Sequence, residues 1–254
     1  MRRLAGSVAI VVCLSAAAVL AQRGGPPGGA PPARTPQQMA PFDPTGYWVA
    51  IVSDEWKYRM LTPAKGNVDY VPVNAEGRNA ANAWDPAKDE ANGDQCRGYG
   101  AGGIMRLPIR LHITWADERT LRMDVDAGTQ TRVLHFGAPV PANTENSWQG
   151  YSAADWQVPG GGRGAPQPAR FGQLKIVTTH LRPGYLRKNG VPYGAGAVLT
   201  EYMTHLSDDD GTKYLAITSF LEDPQYLAQP WVRTSQFKKQ ADAGGWNPTP
   251  CSAR

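Results

Sequence analysis

From Phe42 onward, short apolar or alternating runs recur every ten to twenty residues, each ended by turn residues, and this spacing predicts strands rather than long helices. In Met105–Trp115 every second residue is apolar, with Met105, Leu107, Ile109, Leu111, Ile113 and Trp115 on one face and Arg106, Pro108, Arg110, His112 and Thr114 on the other. That pattern predicts one half-buried strand, placed at an edge or bulged because Pro108 has no N–H to give a ladder. Thr120–Asp126 alternates in the same way, Ala127-Gly128 supplies a turn, and Thr129–Phe136 returns as the partner strand of a hairpin. Further strand-like runs are Tyr47–Ser53, Trp56–Leu61, Val68–Val73, Trp148–Gln157, Phe171–Leu181, Ala197–Leu206, Lys213–Leu221 and Trp231–Lys239. Asn189-Gly190 and Asp208-Asp209-Asp210-Gly211 mark tight turns. Residues 74–92, rich in Ala and Asn with Asn74 as N-cap, predict one short helix and a loop, with Trp84 packing it onto the body.

Composition agrees with this pattern. Of 254 residues, 28 are Gly and 22 are Pro, which excludes a helical bundle or coiled coil, while 41% hydrophobic residues suffice for one core. Residues 22–41 and 158–169 are Gly/Pro-rich, the first expected to be a tether and the second a mobile loop. Residues 42–254 are expected to form a single domain. Sequential strands joined by turns favour antiparallel neighbours, and eight or more of them bend into a barrel or sandwich.

The first 21 residues carry Arg2 and Arg3, then an apolar run without acidic residues and small residues at its end, the pattern of a secretory signal peptide. Export to the periplasm or medium is the expectation, with no integral membrane span left after cleavage. Cleavage after Ala21 removes both arginines, so the formal net charge of +4 falls by two, and no block of basic residues offers a nucleic-acid footprint. Nucleic acid is therefore not an expected partner. Cleavage also removes Cys13 and leaves Cys96 and Cys251, which in an oxidising compartment suggest one disulfide; two unlinked thiols are the alternative. Such a bridge would close a loop of roughly 150 residues and add at most about 4–5 kcal/mol.

Thr45-Gly46-Tyr47-Trp48, opening the first strand, resembles the Gly-x-Trp start of the lipocalin and calycin barrels, and Arg233 on the last strand sits where those families place an arginine over that tryptophan. The resemblance implies an up-and-down antiparallel barrel of about eight to ten strands with a central pocket, and no catalytic residue. The stretches LRPGYLRKNGVPYG and WNPTPC are similar to segments of secreted bacterial proteins without assigned function.

Candidate chemistry is sparse. The chain has no His-Glu-x-x-His, Walker loop or dinucleotide fingerprint, and so no expected cofactor, and Asp208–Gly211 lacks calcium-loop spacing. His112 lies on the polar face of its run, whereas His180 is in phase with Leu174, Ile176 and Thr178. Glu201 and His205 share one side of their strand; if that side is interior, they and His180 are candidate acid/base groups of an isomerase, cyclase or lyase. The opposite phase, with Val198, Thr200, Tyr202, Thr204 and Leu206 inward, is favoured because it holds Val, Tyr and Leu, and it offers the Tyr202 hydroxyl to a ligand. Between His180 and Tyr193, Arg182, Tyr185, Arg187, Lys188 and Tyr193 surround a turn, and arginine beside tyrosine suits a carboxylate or a planar polar ligand. The leading expectation is a binding protein for a small, partly apolar or amphipathic molecule in a barrel mouth, with Trp48, Arg182, Tyr185, Tyr202 and Arg233 as contacts. An enzyme and a cell-envelope interaction protein are the alternatives.

Overall fold

The computed structural model describes residues 33–159 and 171–254. The expected signal peptide, most of the tether and most of the 158–169 loop lie outside the described residues. The strands are β1 (Gly46–Ile51), β2 (Arg110–Asp117), β3 (Thr120–Val125), β4 (Gln130–Phe136), β5 (Tyr151–Gln157), β6 (Gln173–Thr179), β7 (Gly184–Arg187), β8 (Val191–Tyr193), β9 (Val198–Ser207), β10 (Lys213–Glu222) and β11 (Trp231–Lys239). Nine of them close into a barrel in the order β1-β11-β10-β9-β6-β5-β4-β3-β2, and β7 and β8 form a separate hairpin. The architecture is compatible with a lipocalin-like fold.

Nine strands cannot alternate in direction around a closed ring, so at least one neighbouring pair must be parallel. Here that pair is β4 and β5, with Leu134 opposite Ser152. The connection 137–150 accordingly runs the length of the barrel, and the expected all-antiparallel order is corrected at this pair. The hairpin β3–β4 forms as the alternation predicts, with Asp124 opposite Thr131 and Gly128 at φ +74° in its turn. Inward residues of the nine barrel strands meet in one core that includes Leu111, Ile113, Leu121, Met123, Leu134, Met203 and Phe237, while Leu186, Val191 and Tyr193 of the β7–β8 hairpin pack with Leu199, Leu221 and Trp231 in a second. Each such side chain stabilises the fold by about 1.5–3 kcal/mol relative to exposure.

One end of the barrel is closed around Trp48. Its indole Nε1 donates to the Pro44 carbonyl at 2.9 Å, and the Lys239 ammonium lies 4.5 Å from the ring centroid. Lys239 rather than Arg233 is the cation over this tryptophan, because antiparallel pairing sets Trp48 opposite the last residue of β11 and leaves Arg233 near the other end. A short helix α1 (Pro36–Met39), capped by Thr35 and Gln38, receives a hydrogen bond from Trp156 Nε1 on its Pro36 carbonyl. Residues 35–39, expected within the tether, thus belong to the folded body.

The other end is covered by the long β1–β2 connection, which holds α2 (Trp56–Met60), α3 (Ala75–Ala83), α4 (Pro86–Ala91), a 3-10 turn (Gln95–Tyr99) and α5 (Ala101–Ile104), together with the β7–β8 hairpin. Asn74 does cap α3, as its sequence position predicts, but a second helix follows where a loop was expected. Trp56–Leu61 is helical and Val68–Val73 contributes only the Val73–Leu227 bridge, so neither forms the expected strand. Met105–Leu107 form the turn after α5 and the strand begins only at Arg110, after Pro108 has broken the ladder; Ile109, Leu111 and Ile113 are buried as the alternation requires. Gly190, at φ +83° in the β7–β8 turn, lies so close to Trp84 that a Cβ would fall 2.2 Å from its ring, which seats α3 against the hairpin. Cys96 and Cys251 are joined, tying the C-terminal segment to this cap. No helix among the described residues is long and apolar enough to cross a membrane.

Candidate functional site: an arginine-lined cleft at the capped end

The mouth of the barrel beneath the cap is filled by the protein itself. Ile104, Met105 and Ile109 are buried in the same core as the strands, so the expected pocket mouth is occupied by side chains of the chain. Just inside lies a polar cluster. Arg132 of β4 donates from Nη2 to Glu201 Oε2 at 2.6 Å and from Nη1 to Oε1 at 3.3 Å, and its Nη2 also reaches Thr178 Oγ1 at 3.0 Å. Both charged side chains are 1% exposed. Leu199, Glu201 and Met203 are the inward set of β9, and Leu206 is exposed. The favoured phase is therefore corrected: Arg132 of β4, separated from β9 by β6 and β5, supplies the charge that makes a buried glutamate tolerable. Tyr202 consequently points outward and packs edge-on against Phe220.

The histidine candidates do not join Glu201. His205 lies near the opposite end of the barrel, stacked on Phe42 with ring centroids 5.6 Å apart, and four residues of strand separate it from Glu201 by about 13 Å. His180, at φ +55° beyond β6, shares a hydrogen bond with Thr179 at 2.9 Å. His112, expected in solvent, is half-buried and stacked on Tyr47 at 4.1 Å. Among the described residues, no group of three or more His, Cys, Asp or Glu side chains is placed to hold a metal ion.

Charge converges instead on the outside of the cap. Asp54 and Glu55, just after β1, meet four arginines drawn from α2 (Arg59), the turn after α5 (Arg106), β7 (Arg187) and β11 (Arg233). Asp54 bridges Arg59 at 2.8 Å and Arg106 at 3.2 Å. Glu55 bridges Arg106 at 2.9 Å and Arg233 at 2.8 Å. Although burial disfavours the Asp54 carboxylate, Arg106 and Arg59 outweigh that cost and hold it below the usual carboxylate range. Two backbones here are left-handed, Glu55 at φ +47° and Tyr70 at φ +61°, and the Tyr70 carbonyl accepts from both Trp231 Nε1 and Arg233 Nη2. Non-glycine residues in that region cost about 1–3 kcal/mol each and cluster at ligand sites.

Arg187 is the exception in this network. Its side chain is 5% exposed, yet neither Nη1 nor Nη2 has a hydrogen-bond partner, and Glu55 comes no nearer than 3.9 Å. The Tyr58 ring, 4.7 Å away, gives only a cation–π contact. Burial, with Arg233 adding to it and Glu55 opposing, pulls the guanidinium below the usual arginine value. Arg59 Nη2 is likewise buried without a partner. Arg59, Arg106 and Arg187 all line a cleft of about 230 Å³ whose other walls include Tyr58, Met60, Leu107, Leu186 and Lys188.

The remaining candidates of the β6–β9 connection are engaged elsewhere. Arg182 pairs with Asp94 at 2.6 Å and lies over Trp148, and Tyr185 donates to Asp89 at 2.8 Å beneath Arg97. Burial and the Asp89 carboxylate push the Tyr185 hydroxyl well above its ordinary pKa, so it stays protonated and structural. Of the expected contacts, only Arg233 belongs to the arginine cluster; Trp48 is sealed at the far end. Sequence reasoning missed Glu55, Arg59 and Arg106, since their convergence depends on how the cap packs. The one visible signal was a basic and aromatic run, Trp56-Lys57-Tyr58-Arg59, beside two acidic residues.

No family model, curated protein or solved structure matches this chain.

Proposed function

We propose that the protein works outside the cytoplasm as a binding protein for a small, partly apolar anion, seated in the arginine-lined cleft on the cap rather than in the bore of the barrel. The observation that carries this reading is Arg187, a buried guanidinium with both terminal nitrogens unpartnered in the wall of a cleft. Burying a charge whose nearest carboxylate, Glu55, stays 3.9 Å away and makes no hydrogen bond is costly, and a ligand anion that supplied those hydrogen bonds would recover part of that cost. The apolar walls supplied by Met60, Leu107 and Leu186 favour a ligand with a hydrocarbon part. The signal-like N-terminus and the Cys96–Cys251 bridge support export, since such bridges persist in oxidising compartments. A cation lying over Trp48 supports kinship with the lipocalin-type barrels, though it comes from Lys239.

Thermal denaturation against matched acidic, neutral and basic small molecules tests this. A ligand at one hundred times its Kd adds about 2.7 kcal/mol to stability. Stabilisation concentrated among acidic compounds supports the reading; equal stabilisation by neutral or basic analogues contradicts it.

A further inference from the structure

We propose that α2 (Trp56–Met60) docks the protein on an anionic phospholipid surface, with Trp56, Met60 and Leu61 entering the interface and Lys57 and Lys65 meeting the headgroups. This goes beyond the ligand reading above and stands without it.

α2 is turned the opposite way from an ordinary surface helix, which buries its apolar stripe and solvates its charges. Its buried residue is Arg59, 5% exposed, whereas Trp56 is 60% exposed, Met60 54% and Leu61, the residue that follows, 63%. Polar contacts hold this orientation. Arg59 donates from Nε to the Arg106 carbonyl at 2.9 Å and from Nη1 to Asp54 Oδ1 at 2.8 Å. Rolling the helix to bury Trp56 would withdraw Arg59 from both. Glu55, which starts the helix, sits at φ +47°, a left-handed backbone that a glutamate adopts only under constraint. The fold therefore keeps a tryptophan, a methionine and a leucine outward at a cost in backbone strain.

Charge selects what covers them. Segment 54–69 and the arginines paired with it, Arg106, Arg187 and Arg233, hold six cations against three carboxylates. That surplus of three exceeds the surplus of two carried by the whole chain beyond Ala21. Asp54 and Glu55 are taken up by the arginines, and Asp69 accepts from Tyr58 and Asn67, while Lys57 and Lys65 are exposed. Outward aromatic and aliphatic side chains flanked by lysines suit a bilayer interface, where apolar burial and attraction to anionic headgroups add together. A second copy of the chain fits less well. It would set these lysines against their own images, and one five-residue helix falls far short of the about 800 Å² per partner that a stable protein interface buries. Met60 and Leu61 also line the cleft, so a docked protein holds that cleft at the bilayer surface.

The test is co-sedimentation of the exported chain with phosphatidylcholine vesicles, plain or carrying about one third phosphatidylglycerol. Binding is expected to the anionic vesicles, and to fall steeply in about 1 M salt. Trp56→Ser with Leu61→Ser, and separately Lys57→Glu with Lys65→Glu, should each weaken it about tenfold or more. These side chains are exposed, so circular dichroism should show all variants folded. Leu206→Ser, equally exposed but at the far end of the barrel, should leave binding unchanged. No binding to anionic vesicles, equal binding to neutral ones, or binding indifferent to Trp56 and Leu61 overturns the proposal. Self-association in analytical ultracentrifugation that is lost in the Trp56→Ser, Leu61→Ser variant overturns it in favour of a second copy.

Discussion

Arg132 and Glu201, sixty-nine residues apart in sequence, form a two-pronged ion pair inside the barrel wall with both side chains 1% exposed. The pair sits just beneath the cap, where Ser152 and Thr178 satisfy part of its remaining hydrogen-bonding capacity. A buried pair of this kind adds little net stability, but losing one partner strands the other. Glu201→Ala is therefore expected to cost about 3–5 kcal/mol in urea denaturation, and Arg132→Met combined with Glu201→Leu to recover most of that loss. A single variant as stable as the wild type would mean that the stranded arginine finds water.

Arg187 carries the opposite expectation. A buried guanidinium with no hydrogen bond on either terminal nitrogen and its carboxylate 3.9 Å away is a standing cost in the unliganded protein, so Arg187→Met should raise unfolding free energy by about 1 kcal/mol while removing ligand binding. Denaturation of the ligand-free protein measures the first effect, titration the second. Destabilisation by this change would show that the Tyr58 and Glu55 contacts already satisfy the charge.

At the far end, Lys239 and not Arg233 covers Trp48. Lys239→Ala should cost about 1 kcal/mol and leave ligand binding intact, whereas Arg233→Met should weaken ligand binding and leave the environment of Trp48 unchanged. Paired denaturation and binding measurements on the two variants separate the two ends of the barrel.

His205 and His135 set a pH dependence. Burial, together with Lys213 and Lys239 and against the pull of Asp43, holds His205 below the ordinary histidine value; burial does the same to His135 against Asp117. Groups with lowered folded pKa bind their protons more readily once unfolded. Their contribution is complete above about pH 6.5 and is lost as pH falls below it. Tm should therefore fall between about pH 6.5 and 5, and His135→Gln with His205→Phe should flatten that slope. The carboxylates held low, Asp43 and Asp54 among them, act below about pH 4 and leave this window clear.

The Cys96–Cys251 bridge spans 155 residues and pins the C-terminal segment beside the β3–β4 turn, where Thr249 N–H donates to the Asp126 carbonyl. Reduction, or Cys96→Ala with Cys251→Ala, should lower stability by up to about 4–5 kcal/mol. Proteolysis of the segment after Lys239 under reducing conditions provides an independent reading of the same release.

The barrel strands were legible in the sequence because period-two alternation is a local property: Ile109, Leu111 and Ile113 point inward for the reason their spacing gives. The phase of β9 was not legible. Its inward Glu201 looks like a surface residue until Arg132, on another strand, is known to face it, and cross-strand register is a tertiary fact. The same holds for the cap. Trp56-Lys57-Tyr58-Arg59-Met60 reads as a strand by composition but forms a helix whose Tyr58 and Arg59 backbone N–H groups donate to the Glu55 carbonyl. Arg187 was visible as one of several cations near a turn, but its lack of hydrogen bonds emerges only in the packed cap, where Arg182, Arg97 and Lys188 are found paired elsewhere.

The most direct test of the cleft is native mass spectrometry of the protein recovered from the compartment to which it is exported, wild type beside Arg187→Met, followed by identification of any released small molecule. An acidic molecule bound to the wild type at about one per chain and missing from the variant is the predicted result. A neutral molecule, or one retained equally by both proteins, would contradict an arginine-dependent anion site.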